Sequence, residues 1–373
     1  RLDVVFAGLN PMAPRGGGEL ATREILGVLA RDHRVRAVVM GKTPPGAVSG
    51  IEVSAVSAPT VARFPWGPVP DSHERNLAAT LALDVTAKPP DLLLVNHPAW
   101  INPDRLTRNT KLIVFAHSAM CFSLWDPTPE SWRRALSGPS FALRRRWYMP
   151  MLRRADLIVT NSDFMAEELT RRFGLLSAVV PPIADVTPAI DTTPVPDDAP
   201  FLFSGLDPWK GAELAIEIAS ELSDRSFVFL TGGRPTPAVL SRANDLANVT
   251  VKSWTDDMDA VYRQCRLVLV PSLWEEPFGR VAVEAVAHGR PVIARNVGGL
   301  SEAVGAAGIL MAPSAGVDAW CQAIAALDDA QTYDGYVAET RSHVARFRSP
   351  LVLARLEQAV KQATGLDLGV AAA

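Results

Sequence analysis

The sequence predicts an α/β protein made of two doubly wound parallel-sheet domains, and three observations point there. Short, nearly continuous apolar runs alternate with helical or irregular stretches along the chain, the pattern of buried parallel strands under covering helices. That rhythm is interrupted at Asp185 to Pro200, where Pro188, Pro194, Pro196 and Pro200 stand among acids and threonines, a linker composition. A chain of 373 residues is also longer than one ordinary core accommodates. The expected division is a first domain over 1–185, a linker over 186–200, a second domain over 201–345 and a final helix over 346–373.

Composition removes several function classes. A hydrophobic content of 48% with 21% charged residues is that of a globular protein, and a net charge of −3 gives no general attraction to nucleic acid or membrane. No apolar run reaches the 18 residues of a membrane span. Leu2 to Ala7 reads as a strand and not as a signal peptide, which would need a charged start and a longer apolar core. Cys121, Cys265 and Cys321 are far apart with no CxxC, which suggests reduced thiols and a cytoplasmic location. No His/Cys cluster has metal-ligand spacing, so no metal is expected. The chain has six Lys against 31 Arg, which makes each Lys more informative than usual.

In the first domain, Leu2 to Ala7 leads through Gly8-Leu9-Asn10-Pro11 to Arg15-Gly16-Gly17-Gly18, and a helical pattern starts at Glu19. A strand, a Gly-rich loop and a helix bring backbone N–H groups up to a phosphate or a sugar, which makes Gly17 and Gly18 candidates; the same glycines could serve only as a turn. The loop is neither GxGxxG nor a Walker sequence, which sets aside dinucleotide oxidoreductases and P-loop NTPases. Val35 to Met40, Leu92 to Asn96, Leu112 to Ala116 and Leu157 to Thr160 are further buried strands. Two of them end in polar groups, Asn96-His97 and His117-Ser118, at the crevice end of a parallel sheet. A lone His is more often a satisfied structural residue, and only this position raises the two histidines above that; Asn96 and His97 are candidates for the acceptor.

Trp132 to Arg154 carries seven Arg, no acid and interleaved aromatics. It could lie on an anionic membrane surface, bind an anionic acceptor, or simply form a solvated, partly packed helix pair. Asp156 to Glu168 is a strand and a helix capped by Ser162 or Asp163.

In the second domain, Phe201 to Ser204 is a strand, and Gly205 to Gly211, containing Lys210, leads to a helix over 212–220. Phe227 to Leu230 ends in Thr231-Gly232-Gly233-Arg234. Val249 to Val251 follows. Asp256, Asp257 and Asp259 read as a helix start and not as a metal site, because acids complement a helix amino end. Pro271 to Val304 then holds the densest group of polar candidates. A strand over 267–270 is followed by a loop with Glu275 and Glu276, then a helix introduced by Pro277 and Gly279 and stopped at His288-Gly289. A strand over 291–294 leads to Gly298-Gly299. Glu276 and Glu284 are eight residues apart, roughly 12 Å along a helix. They can meet the two ends of an extended ligand, with the helix amino end as an anion site between them. A nucleotide sugar has that layout; an incidental Glu pair on a surface helix is the plain alternative.

Taken together, these pieces resemble the GT-B glycosyltransferases, and most of all the retaining enzymes of family 4. The resemblance spans nearly the whole chain. Its strongest part is Glu276-Pro277-Phe278-Gly279 to Glu284, the family's E-x7-E signature, followed by Gly289-x-Pro291-Val292 and Gly298-Gly299-Leu300-x-Glu302. Gly16-Gly17-Gly18, His117, Ala155-Asp156, Asn161-Ser162, Pro181-Pro182-Ile183 and Lys210-Gly211 match in the family's order. The resemblance implies two Rossmann-like domains facing a central cleft, a UDP- or GDP-type sugar donor on the second domain, an acceptor on the first, and a final helix that crosses back to the first. It implies that Glu284 holds the ribose hydroxyls, that Glu276 and the backbone at Phe278-Gly279 hold the sugar, that Lys210 balances the diphosphate, and that His117 approaches the sugar. The family usually places an Arg at the position of Gly205. Arg280, with Arg234 second, is the expected substitute at the donor diphosphate.

The function expected from this is a metal-independent, hexosyltransferase-type transfer with retention, by front-side displacement, using no cofactor. The alternatives are a nucleotide-sugar epimerase of the same fold and a catalytically silent sugar-nucleotide-binding partner. The acceptor stays open between a small molecule and a lipid-linked or polysaccharide precursor. The location is expected to be cytoplasmic, with peripheral contact at the inner membrane face through 132–154 as one possibility.

Overall fold

The structure is a computed structural model and describes residues 1–9, 11–12, 17–40, 50–56, 88–96, 109–119, 124, 145–146, 148–185, 195–232, 235–255 and 257–370. The chain divides into two compact units, one of residues 1–183 with 349–373 and one of residues 184–348.

The first unit holds a parallel sheet of β1 (Asp3–Leu9), β2 (Arg34–Met40), β3 (Ile51–Val56), β4 (Leu92–Val95), β5 (Lys111–Phe115), β6 (Leu157–Thr160) and β7 (Ala178–Val179), in the order β3-β2-β1-β4-β5-β6-β7. The apolar runs are continuous because both faces of the sheet are covered. Along β1, Val4 and Phe6 enter one core while Val5 and Ala7 enter the other, the two-residue alternation of a strand. Helix α1 (Gly17–Asp32) lends Ile25, Leu26 and Leu29 to the core that holds Phe6. Helix α2 (Asp163–Phe173) begins at Ser162, whose hydroxyl accepts from Met165 N at 3.0 Å, and stops at Gly174 in the left-handed conformation.

The second unit repeats the plan with β8 (Phe201–Ser204), α3 (Ala212–Glu221), β9 (Phe227–Thr231), α4 (Pro237–Asn244), β10 (Val249–Ser253), α5 (Met258–Gln264), β11 (Val268–Val270), α6 (Arg280–Ala287), β12 (Val292–Arg295), α7 (Leu300–Val304), β13 (Gly308–Met311), α8 (Val317–Ala326) and α9 (Ala330–Val344). Its parallel sheet runs β10-β9-β8-β11-β12-β13. At the near end of the linker, Asp197 pairs with Arg266 at 2.6 Å within this unit. The last helix, α10 (Ser349–Thr364), places Val352, Leu353, Leu356 and Val360 in the core of the first unit, so one helical stripe brings the chain back to it.

Each sheet reverses its strand order beside its first strand, at β1/β4 and at β8/β11. The carboxyl ends of such strands form the crevice where open α/β sheets bind ligands. In the second unit, glycines bring the loops there into contact. A Cβ on Gly211 would fall 2.1 Å from the Pro271 carbonyl oxygen, and one on Gly298 would fall 2.2 Å from that of Glu276. Both glycines also have positive φ, 82° and 57°. Gly298→Ala is therefore expected to destabilise the protein by about 2 kcal/mol or more. Gly335 lies exposed inside α9 with open space around it, so Gly335→Ala should stabilise by about 0.5–1 kcal/mol. Urea denaturation of the two variants checks the opposite signs.

Candidate functional site

After β8 the chain turns through Gly205 into a 3-10 turn, Pro208–Lys210, whose start is fixed by the Asp207 carboxylate accepting from Trp209 N at 3.1 Å. After β11 it runs through Pro271 and Ser272, and Leu273 N donates to the Trp209 carbonyl at 2.8 Å. With these loops pinned together, Lys210 Nζ lies 2.5 Å from Glu276 Oε1, and Ser272 Oγ donates to the same oxygen at 2.8 Å. The Glu276 side chain is 7% exposed and that of Lys210 35%. The ammonium also lies 5.3 Å from the centroid of the Trp274 ring, a cation–π contact. Lys210 and Glu276, expected at the phosphate and the sugar, thus meet at one point.

The Glu276 backbone is fixed as well, since Gly299 N donates to its carbonyl at 2.8 Å. Phe278 turns its ring into the core against Phe347, with centroids 5.5 Å apart, which leaves only its backbone for a ligand. Helices α3 and α6 start here on Gly211 and Gly279, without a side-chain cap. Elsewhere in the unit Thr236, Asp257 and Asp329 cap helices with side-chain oxygens, while α7 and α8 also start on glycines, Gly299 and Gly316, without one. A helix amino end without a capping oxygen suits an external anion. Asp257, expected as part of a helix start, accepts from Ala260 N at 3.1 Å.

Gly205 has a φ of 97°. An Arg at this position would be held in a left-handed backbone, so the absence of the family's usual cation goes with a turn that favours glycine. Arg280, the expected substitute, places Nε 2.5 Å from Glu284 Oε1. The other carboxylate oxygen of Glu284 accepts from Tyr262 Oη at 3.0 Å. Tyr262 is fully buried, and burial, followed by the Glu284 charge, pushes its phenol well above the usual range, so it remains a donor. His288 Nδ1 faces the Glu284 carbonyl at 2.8 Å.

In the first unit, the switch point gathers Gly18, Thr22, Asn96 and His117. Thr22 Oγ1 donates to the Gly18 carbonyl at 2.8 Å and accepts from Asn96 Nδ2 at 3.1 Å. Asn96 therefore braces α1 against β4. A Cβ on Gly18 would meet that of His117 at 3.6 Å, an ordinary contact. Gly17 is the first residue of α1. Burial lowers the His117 pKa to about 4, against a smaller opposing effect from the Gly18 backbone. Its Nε2 is buried and has no hydrogen-bond partner among the described residues. Asn161 Nδ2 donates to the His117 carbonyl at 3.3 Å.

His97 and Arg234 lie outside the described residues. So does most of 132–154; in its described part Tyr148, Met151 and Leu152 are buried, and Arg154 pairs with Asp156 at 3.3 Å. These are the contacts of a packed helical segment. Among the described residues no group of three or more His, Cys, Asp or Glu could hold a metal, and no helix is long and apolar enough to cross a membrane. Sequence reasoning missed Thr22, Tyr262, Ser272 and Trp274. Ser272 and Trp274 sit beside the Glu276 signature, whereas Tyr262 is joined to Glu284 only by the fold.

Residues 15–188 match the family model described as Glycosyltransferase Family 4, and residues 200–329 match that of Glycosyl transferases group 1. Among curated proteins, the D-inositol 3-phosphate glycosyltransferase of Gordonia bronchialis is 35% identical over 207 residues, 46% of this chain and 44% of that protein. The enzyme of the same name from Corynebacterium efficiens is 29% identical over 273 residues, 63% of each. The chain spans about half the length of the curated relatives it matches. Among solved structures, Anabaena HepE in complex with UDP and glucose superposes with a TM-score of 0.71 at 18% identity, covering 98% of this chain and 100% of that one. Sucrose-phosphate synthase from Thermosynechococcus elongatus gives 0.73 at 20% identity with the same coverage. Two family matches in the expected order, on two doubly wound units of the GT-B fold, place the chain in glycosyltransferase family 4.

Proposed function

We propose that the protein transfers a sugar, with retention, from a nucleoside-diphosphate sugar held by the second unit to an acceptor hydroxyl. The observation that carries this is Lys210 against Glu276 between the uncapped amino ends of α3 and α6, with Glu284 about one turn along α6. In this reading the diphosphate lies on the helix ends and Lys210, the ribose on Glu284 and the sugar on Glu276. Trp254, 52% exposed beyond β10, offers a face on which the base can stack. The HepE structure is a complex with UDP and glucose, and this supports a UDP-type donor. The relatives' names favour a small phosphorylated polyol among acceptor classes.

For the chemical step we infer a front-side displacement. The bond from the anomeric carbon to the β-phosphate oxygen breaks. The acceptor oxygen bonds to the same face of that carbon, and its proton passes to the departing phosphate. The leaving diphosphate is stabilised by charge and by fixed N–H dipoles, so no metal enters the step. His117 is proposed, on the family pattern, as a polar group of the first unit for substrate, with its unpartnered Nε2 as support. As a neutral imidazole it would serve as a hydrogen-bonding group.

Release of nucleoside diphosphate that depends on an acceptor panel including D-inositol 3-phosphate tests the activity. Release without acceptor, or binding without turnover, would contradict it. Glu276→Ala and Lys210→Ala are each expected to lower kcat by about 100-fold or more. Turnover should persist in excess EDTA; complete loss that Mg²⁺ or Mn²⁺ restores would refute the metal-free step.

The His117 shift gives a pH prediction. Its folded pKa is depressed, so its contribution to stability is full above about pH 6.5 and is lost as pH falls through about 4. The loss is on the order of 3 kcal/mol. Urea denaturation between pH 7.5 and 4.5 should show a shallower decline for His117→Gln than for the parent.

A further inference from the structure

Glu284 is held from two sides. Tyr262 Oη donates to Oε2 at 3.0 Å and Arg280 Nε donates to Oε1 at 2.5 Å. The Val281 carbonyl, at 3.5 Å from the phenol, is the poorer alternative for its single proton. A carboxylate has about four lone-pair sites. One bond on each oxygen leaves each with a second site, and the Glu284 side chain is still 22% exposed. Two adjacent acceptor sites left on a partly exposed carboxylate match a vicinal diol.

Helix stability does not explain this arrangement. Arg280 is the first residue of α6, where the macrodipole favours an anion over a cation. Its pairing to Glu284 runs Arg before Glu at i,i+4, the less favourable order on a helix. Tyr262 spends its only hydroxyl proton on a side chain 22 residues away. Both residues break local preference at a point where a ligand would benefit.

We propose that Tyr262 and Arg280 are positioning residues that aim the two remaining acceptor sites of Glu284 at the 2′- and 3′-hydroxyls of a ribose, so that the site selects ribonucleotides over 2′-deoxyribonucleotides. This rests on the nucleotide-sugar reading above. It also gives Arg280 a role different from contact with the diphosphate, and the two roles separate experimentally.

The test is calorimetric binding of ADP, CDP, GDP and UDP, each against its 2′-deoxy counterpart, to the full chain. For the best-binding base, the parent protein should prefer the ribonucleotide by about tenfold or more, the worth of a hydrogen bond to a charged group. Tyr262→Phe keeps the buried ring. It should weaken the ribonucleotide and leave the deoxynucleotide nearly unchanged, so the preference falls by about threefold or more. Arg280→Ala should also reduce the preference; equal weakening of both ligands would instead place Arg280 on the diphosphate and overturn its positioning role. Circular dichroism and thermal unfolding check that each variant folds, and partly exposed Arg280 carries the test if Tyr262→Phe does not. A preference unchanged in both variants, or a parent that binds deoxynucleotides equally well, overturns the proposal alone. A parent that binds no nucleoside diphosphate overturns the donor reading beneath it.

Discussion

The ion pair between Lys210 and Glu276 exists only because three loops of the second unit approach one another at backbone distance. A carboxylate as buried as Glu276 loses most of its hydration, a loss worth several kcal/mol unless donors replace the water. Lys210 and Ser272 supply those donors, and both depend on chain placement. Gly211 lets the Lys210 loop lie on Pro271, and Gly298 lets the β12–α7 loop lie on Glu276. The charge arrangement of the site and the steric demands of its glycines are therefore one constraint. Removing either Lys210 or the close backbone contact leaves Glu276 short of a partner.

The same packing explains why three helices, α3, α6 and α7, begin on glycine at this point and not on Ser, Thr or Asp. A Cβ would meet backbone at Gly211 and Gly299 and the Leu300 side chain at Gly279, and a helix amino end without a capping oxygen follows from that exclusion. In the first unit the corresponding position is organised by hydrogen bonds, from Asn96 through Thr22 to Gly18, with the half-buried His117 beside them.

Much of the fold was legible in the sequence, because strands covered on both faces are apolar throughout. The expected bounds of β6 and β8 coincide with those observed, and β1, β2, β4, β5, β9 and β11 differ at their ends. Strand β3 was missed: Ile51-Glu52-Val53-Ser54 alternates polar and apolar residues, as an edge strand does, and makes no apolar run. Helix α4 was also missed, although Thr236-Pro237 is a cap followed by a first-turn proline. In the site, residues inside the E-x7-E stretch were found because their spacing is local. The partners of those residues were not: Tyr262 reaches Glu284 only after α5 folds against α6, and no local pattern marks it. Arg280 was found for its charge, but whether that charge faces a carboxylate or a phosphate is a matter of side-chain direction. The structure places its Nε on Glu284.

The central claim is that the β8/β11 switch point is the seat of a nucleoside diphosphate. A crystal of the full chain soaked with UDP measures this directly. The account expects the diphosphate within hydrogen-bond distance of Lys210 Nζ and the amino end of α6, with the ribose hydroxyls on Glu284. A nucleotide bound elsewhere, with Lys210 and Glu284 untouched, would contradict it.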